Sequence, residues 1–481
     1  MSTSATESPE TEKFFRSLDR IIPALLILAV VGALTSTAIF WVVLGLAAFA
    51  AFVPLSSWGV IAYFVLVFGL AAVASENPIS VGGIRVYGAD VLAAFFAAWI
   101  CNECMASVLK KPYLVHRPQT ERRIMAATVT LAAYGLVAAL IGLSNGHFMR
   151  DVLGDYRQQF YYPLALLLPL LLPLRAPHLN AVQYALIFAI GATALVGLRR
   201  FALGESWMPE SYTLLEFDPR YLSSTELVPF AAGLAYFAVV LRSRASLAFK
   251  AFAVGCAGVA FVMLVISGWR LGILMAAAAP VAAMLLLTWV RREPFAGPFK
   301  AAFVLACLAV AGAALLSVLF PEEVQAQLQR TYERFQEFNP ADDQRYYTWI
   351  AALETYRDHP ILGAGLGHQL WFYMRSSAGY LLGATGTTHN FLLEVLYRGG
   401  LAAILLVLGI HIAFNLYVFR RLQSVLARHQ SIVIGLYVGY ASCFVMHLLE
   451  PNTPAGIATL YLSMGLIIRY LRDSDAKSAA E

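Results

Sequence analysis

Apolar stretches recur along the chain from Ile21 to Tyr470, separated by short polar breaks. Many are long enough for the ~20 residues a helix needs to cross the hydrocarbon core. The block from Ile21 to Ala74 holds three such spans. Single spans follow near 89–109, 124–145, 161–174, 179–198, 227–241, 249–267, 271–290, 299–319, 398–418, 431–449 and 455–471. The total is about 14 transmembrane helices, or about 12 if a short segment re-enters without crossing. The pattern predicts an all-α polytopic membrane protein in five parts. These are a tail at 1–20, spans with short loops over 21–319, one long loop over 320–388, further spans over 389–471 and a tail at 472–481. No internal repeat of the kind that marks inverted-repeat transporters is visible.

Composition agrees with that pattern. Of 481 residues, 60% are hydrophobic and 13% charged, against roughly 25% charged in soluble domains. The net charge of +5 does not imply nucleic-acid binding, because Lys and Arg fall mainly in short loops between spans. Lys110, Lys111, Arg117, Arg122 and Arg123 form one cluster. Arg242 with Arg244, Arg291 with Arg292, and Arg420 with Arg421 and Arg428 form three more. The positive-inside rule places these in the cytoplasm, together with both termini. Loops at 75–88, 147–160, 199–225, 320–388 and 450–454 then face the opposite side. The polar stretch Met1–Asp19 reads as a retained tail rather than a signal peptide. Five cysteines all fall in apolar spans, which argues against a disulfide framework, and Cys101 and Cys104 read as buried thiols.

The long loop carries the polar chemistry. Val324, Leu328, Tyr332, Phe335 and Phe338 are spaced for an amphipathic helix, which Asn339-Pro340 interrupts. A second helix fits from Asp342 and Asp343 to Arg357, with Pro360 beyond its end. Gly363-Ala364-Gly365-Leu366-Gly367 then reads as a tight turn between helices. Arg345 falls in the first turn of the second helix, where the dipole disfavours a cation. It either pairs with Asp342 or Asp343, or helps to bind an anion with the helix amides. Arg270, between two apolar stretches, either snorkels to the interface or serves a function there. Arg199, Arg200 and Arg220 lie in an external loop, either as solvated residues or as anion contacts. Last comes Thr387-Thr388-His389-Asn390-Phe391-Leu392-Leu393-Glu394, which sets one imidazole at the start of a helix entering a span. The helix dipole there favours the neutral ring.

Four motifs follow in order. They are Ser267-Gly268-Trp269-Arg270, Arg345-Tyr346-Tyr347-Thr348-Trp349, His359-Pro360-Ile361-Leu362-Gly363-Ala364-Gly365, and His389-Asn390-Phe391-Leu392-Leu393-Glu394 with Gly399-Gly400 beyond it. Their order and spacing resemble the O-antigen ligase / Wzy-type polymerase superfamily. The resemblance implies a GT-C-like, multi-pass protein of the bacterial inner membrane with its active site facing the periplasm. It also implies a metal-independent glycosyltransferase without a cofactor. Its donor would be a glycan on undecaprenyl diphosphate, and its acceptor lipid A–core or another glycan.

The residue chemistry fits that implication. A diphosphate leaving group needs its growing charge stabilised, by a metal or by protein cations. The external loops show no acidic metal-ligand set, and Asp473-Ser474-Asp475 lies in the cytoplasmic tail. Arg270 and Arg345 are therefore expected to clamp the diphosphate, with Arg220 and Arg200 as further candidates. His389 is expected to act as general base on the acceptor hydroxyl, supported by Asn390 and Glu394. Direct displacement would invert the anomeric configuration. Within this class a Wzy-type polymerase is the alternative to a ligase. Outside it, a transporter or lipid flippase would use the same arginines and histidine to line a path.

Overall fold

The computed structural model describes residues 79–81, 84–86, 118–171, 176–204, 246–266, 270–292, 344–376, 379–425, 427–449 and 454–478, with scattered positions between 237 and 332. The expected spans over 21–74 and 89–109, most of those at 227–241 and 299–319, and Arg220 lie outside the described residues. So does most of the expected helix over 322–338, of which Gln325, Gln329 and Tyr332 are described and helical. The rest is an all-α membrane fold with two small hairpins. The first hairpin pairs β1 (Ile79–Val81) with β2 (Ile84–Val86), inside the expected loop at 75–88. Helices α1 (Gln119–Ser144) and α2 (Met149–Tyr156) follow, then α3 (Leu167–Leu171), α4 (Ala176–Leu203), α5 (Leu247–Ile266) and α6 (Arg270–Arg291). Next come α7 (Gln344–Asp358), the hairpin of β3 (Leu370–Ser376) and β4 (Gly379–Thr385), and α8 (Phe391–Arg421). The last helices are α9 (Ala427–His447) and α10 (Pro454–Ser478).

Among the described residues, four helical stretches are long and apolar enough to cross a membrane: Gln119–Ser144, Leu247–Leu264, Phe391–Ser424 and His429–His447. Pro118 opens α1 with φ −52°, and Asn145 and Gly146 (φ +81°) close it, the usual Pro-first, Gly-last arrangement.

The segment around 161–174 departs from the expected plain span. The chain leaves α2 through a π-helical turn, Arg157–Tyr161, and a 3₁₀ turn, Tyr162–Leu166, before α3. Pro163 and Pro169 lack the amide that a continuous helix needs there. The broken segment is buried against α10, where Gly465 lets the Leu166 carbonyl approach. The expected loop at 147–160 is consequently helical for most of its length. Arg199 and Arg200 also differ from expectation. They lie within the C-terminal end of α4, not in a loop, with Arg199 exposed and Arg200 7% exposed.

The 320–388 segment is helical at α7, one residue from the expected start, but ends in an antiparallel hairpin registered from Leu370↔Thr385 to Ser376↔Gly379. Leu370 and Phe372 face inward, while Trp371 and Tyr373 are 65% and 67% exposed, the period-two alternation of a half-buried strand.

Polar contacts collect at two ends of the bundle. At one end Arg472 Nη1 meets the buried Glu121 at 2.9 Å, and Arg291 donates to Gln430 and Ser431. At the other end lies the turn 359–367, inserted between α1 and α8. There α8 is broken at Gly400 (φ +66°, ψ −167°). The turn supplies partners for the broken helix. Leu401 N donates to Pro360 O at 2.9 Å and Ala402 N to Ile361 O at 3.4 Å. In return Tyr397 O and Arg398 O accept from Ala364 N and Gly365 N at 2.8 and 3.1 Å. A side chain at Gly400 would strike the Ile361 carbonyl, and one at Gly365 the Gly142 amide. The Gly-x-Gly-x-Gly run is thus a close-packed wedge that completes the hydrogen bonding of a kinked span.

Candidate active site

The side chain of His389 comes from a short loop between β4 and α8. Asn390 caps α8: its Oδ1 accepts from Leu393 N at 3.1 Å, satisfying one of the free amides of the first turn. His389 itself holds φ +56°, a left-handed backbone that costs a non-glycine residue on the order of 1–3 kcal/mol. Neighbouring hydroxyls hold it there. Thr387 Oγ1 accepts from His389 N, and Thr388 Oγ1 accepts from Asn390 N, each at 3.2 Å. Such strain persists only where the surroundings over-determine the conformation, and it concentrates at functional sites.

Glu394 ties this loop to the helix. It is 1% exposed, and its Oε1 accepts from Thr387 Oγ1 at 2.6 Å and from Thr388 N at 3.1 Å. Its Oε2 lies 3.5 Å from Arg398 Nη1. Arg398 is the largest fully buried side chain among the described residues, at 1% exposure. It donates through Nη2 to the Gly386 carbonyl, and its Nε lies 3.0 Å from Asp155 Oδ2 on α2. Asp155 also accepts from Gly367 N at 2.7 Å. Burial lifts the Asp155 carboxyl to about 6, against the opposing pull of Arg398 and of the Gly367 amide. It remains mostly ionised at neutral pH, as a partner of Arg398 should. One guanidinium therefore links α2, the glycine wedge and the His389 loop. A buried arginine at this depth is tolerated because two carboxylates and a carbonyl surround it.

α7 reaches the same loop from the other side. Trp349 Nε1 donates to Thr388 O at 2.8 Å. Arg345 lies four residues earlier, one turn along the same helix face, and is half-buried. The Arg-x-x-x-Trp spacing thus sets one cation about one helical turn, ~5–6 Å of rise, from the tether of His389. Thr348 Oγ1 donates to the Arg345 carbonyl at 2.9 Å, which steadies that turn.

Of the expected residues, His389, Asn390 and Glu394 share this site, and Arg345 lies one turn along α7 from Trp349, which bonds to it. Arg270 is the first residue of α6, at the opposite end of that helix from Arg291; its side chain is outside the described residues. Arg200 ends α4, and Arg220 is not described. The sequence reading passed over Arg398, Asp155, His147 and His368. Arg398 carried a signal, since a charge inside an apolar span is rarely unpaired. Asp155 carried none, because its partner is 243 positions away along the chain, by difference of their numbers.

Residues 230–408 match the family model described as O-antigen ligase. Over that stretch the chain is similar to the O-antigen ligase family. It is also 33% identical over 146 residues to an O-antigen ligase of Pseudomonas aeruginosa (strain PAO1), covering 30% of this chain and 32% of that protein. The alignment thus spans about a third of that relative's length. The O-antigen ligase match contains Arg270, Arg345, the glycine wedge, His389, Arg398 and the break at Gly400. α1 and α2, which supply His147 and Asp155, lie before it.

Proposed function

We propose that this protein is an inverting, metal-independent glycosyltransferase of the bacterial inner membrane, with its site on the periplasmic side. It moves a glycan from undecaprenyl diphosphate to a sugar hydroxyl of lipid A–core. The observation that supports the reading is the bond from Trp349, one turn along the helix from Arg345, to the locked loop that carries His389 at the head of a membrane helix, within the O-antigen ligase match. His389 takes the proton of the acceptor hydroxyl as its oxygen attacks the anomeric carbon. The bond from that carbon to the diphosphate oxygen breaks, and the electron pair leaves with the diphosphate. Arg345, with Arg270 brought from the start of α6, stabilises the departing charge. Glu394 and Asn390 hold the loop so that the imidazole needs little reorganisation during the step. A polymerase would use the same chemistry with a lipid-linked repeat unit as acceptor.

The test is transfer by the purified protein, in excess EDTA, from undecaprenyl-diphosphate glycan to lipid A–core or to a second lipid-linked glycan. His389→Ala should lose ~10²–10⁴-fold in turnover while donor binding persists. Arg345→Ala should weaken donor binding, and Lys should restore it poorly. Failure of wild type to transfer to either acceptor would end this reading. Transfer that requires Mg²⁺ or Mn²⁺ would overturn its metal-independent part.

A further inference from the structure

Beside the glycine wedge two more imidazoles meet edge-on. His147 follows the end of α1, and His368 follows the wedge itself. Their ring centroids are 5.4 Å apart at 62°, and His368 also lies edge-on to Tyr397, 6.2 Å away. Both are half-buried. They border the same buried network as the His389 loop. Gly367, between Leu366 and His368, donates to Asp155, which pairs with Arg398, which donates to Gly386. Gln369, next to His368, packs against Gly386, three residues before His389.

The proton position on His147 follows from its partner. Nδ1 lies 2.8 Å from the Leu366 carbonyl, and a carbonyl only accepts, so Nδ1 carries the hydrogen. In the neutral ring Nε2 then presents a lone pair. His368 is held neutral: burial above all, with Arg398 among the basic groups around it, pushes its pKa down to about 4. An uncharged imidazole is a poor phosphate ligand. It suits hydroxyl groups, which both donate and accept hydrogen bonds.

We propose that His147 and His368 form a carbohydrate-hydroxyl subsite beside the glycine wedge, with His147 Nε2 accepting a hydrogen bond from a sugar hydroxyl. This rests on the glycosyltransferase reading above. The sugar belongs either to the acceptor or to the donor glycan, and two readouts separate these sources.

The test uses the full-length protein and three substitutions. His147→Asn keeps a donor where Nδ1 was, and so keeps the tie to Leu366, but lacks an atom at Nε2. His147→Gln places its amide near Nε2 and gives up that tie. His368→Phe keeps the ring packing and removes both nitrogens. Expected for His147→Asn is unchanged thermal stability with a change in one sugar-binding step of tenfold or more. A rise in acceptor KM at unchanged donor affinity assigns the hydroxyl to the acceptor. A fall in donor affinity at unchanged acceptor KM assigns it to the donor. His147→Gln should recover part of the lost affinity, and His368→Phe should shift the same step. If His147→Asn folds and matches wild type in both readouts, the imidazole only anchors the wedge and the subsite is refuted. If His147→Asn does not fold, wild-type behaviour of His368→Phe in both readouts refutes it. If wild type transfers no glycan at all, the underlying function fails with it, a distinguishable result.

Discussion

Arg398→Met is the substitution that tests the centre of this arrangement. It removes the buried guanidinium and keeps most of the side-chain volume. Two carboxylates then lose their cation, Asp155 at 3.0 Å and Glu394 at 3.5 Å, and the Gly386 carbonyl loses its donor. Breaking a buried ion pair from one side costs about 3–5 kcal/mol. The orphaned carbonyl overlaps with that figure rather than adding in full, since a buried unsatisfied group costs ~1–3 kcal/mol. An expected loss of about 3–5 kcal/mol is a large part of a folded domain's margin, ~5–15 kcal/mol. Adding Asp155→Asn should return part of it, because the amide oxygen still accepts from Gly367 N without a charge to compensate. The coupling between the two substitutions should fall in the ~0.5–3 kcal/mol range of contacting residues. Unfolding of the purified protein in detergent, with transfer assayed in parallel, measures both.

The loss should also depend on pH. A carboxyl whose folded pKa lies above its unfolded value binds more protons folded than unfolded across that interval. Its stabilising contribution is full at low pH and is lost as pH rises through the folded pKa. Asp155 is raised from 3.8 to about 6 with Arg398 beside it. Without Arg398 it loses the main pull opposing burial, and the interval extends upward. The deficit of Arg398→Met against wild type should therefore be larger at pH 8 than at pH 5. A variant within ~0.5 kcal/mol of wild type at both pH values, with full activity, would refute the reasoning.

Two further substitutions test the loop and the wedge. Trp349→Phe removes the indole donor to Thr388 O; it should cost about 1 kcal/mol of stability and lower turnover while Arg345-dependent donor binding persists, and unaltered turnover would show that the His389 loop does not need its tether. Gly365→Ala puts a side chain at φ +87° against the Gly142 amide; it should cost more than the ~1–3 kcal/mol of backbone strain alone, seen as a lower recovery of monodisperse protein in size-exclusion chromatography, and normal recovery would mean that α1 and the wedge can move apart.

The helices that cross on hydropathy alone were legible, because an apolar run of ~20 residues has few alternatives. α7 was legible from Asp342, Asp343 and Pro360, and the start of α8 from His389 and Asn390, since capping and breaking residues act locally. The π and 3₁₀ turns after α2 were not, although Pro163 and Pro169 marked the place. Apolar composition matches a broken helix as well as a straight one. The β3–β4 hairpin was hidden because Leu370, Trp371, Phe372 and Tyr373 are all apolar or aromatic, so its two faces do not differ in hydropathy. At the candidate site, His389 and Glu394 could be named from motifs, as could Arg345 on the helix that reaches it. Asp155 and His147 could not, because what recruits them is long-range packing of α1 and α2 on the wedge.

The break at Gly400 says which part of α8 belongs to the site. In an unbroken helix the amides of residues 401 and 402 would bond to carbonyls four residues back. Here they bond to Pro360 and Ile361, and the carbonyls of Tyr397 and Arg398 accept from the wedge. The outer turns, Phe391 to Gly399, are thereby joined to the glycine wedge across the break as well as along their own helix. Glu394 and Arg398, one turn apart on those outer turns, bind the His389 loop on one side and α2 on the other. Loop, outer turns, wedge and α2 form one polar unit seated on the apolar bundle. Substitutions within it should therefore change catalysis and local stability together. Substitutions of lipid-facing residues below Gly400, such as Leu405 or Ile412, 59% and 58% exposed, should leave both nearly unchanged.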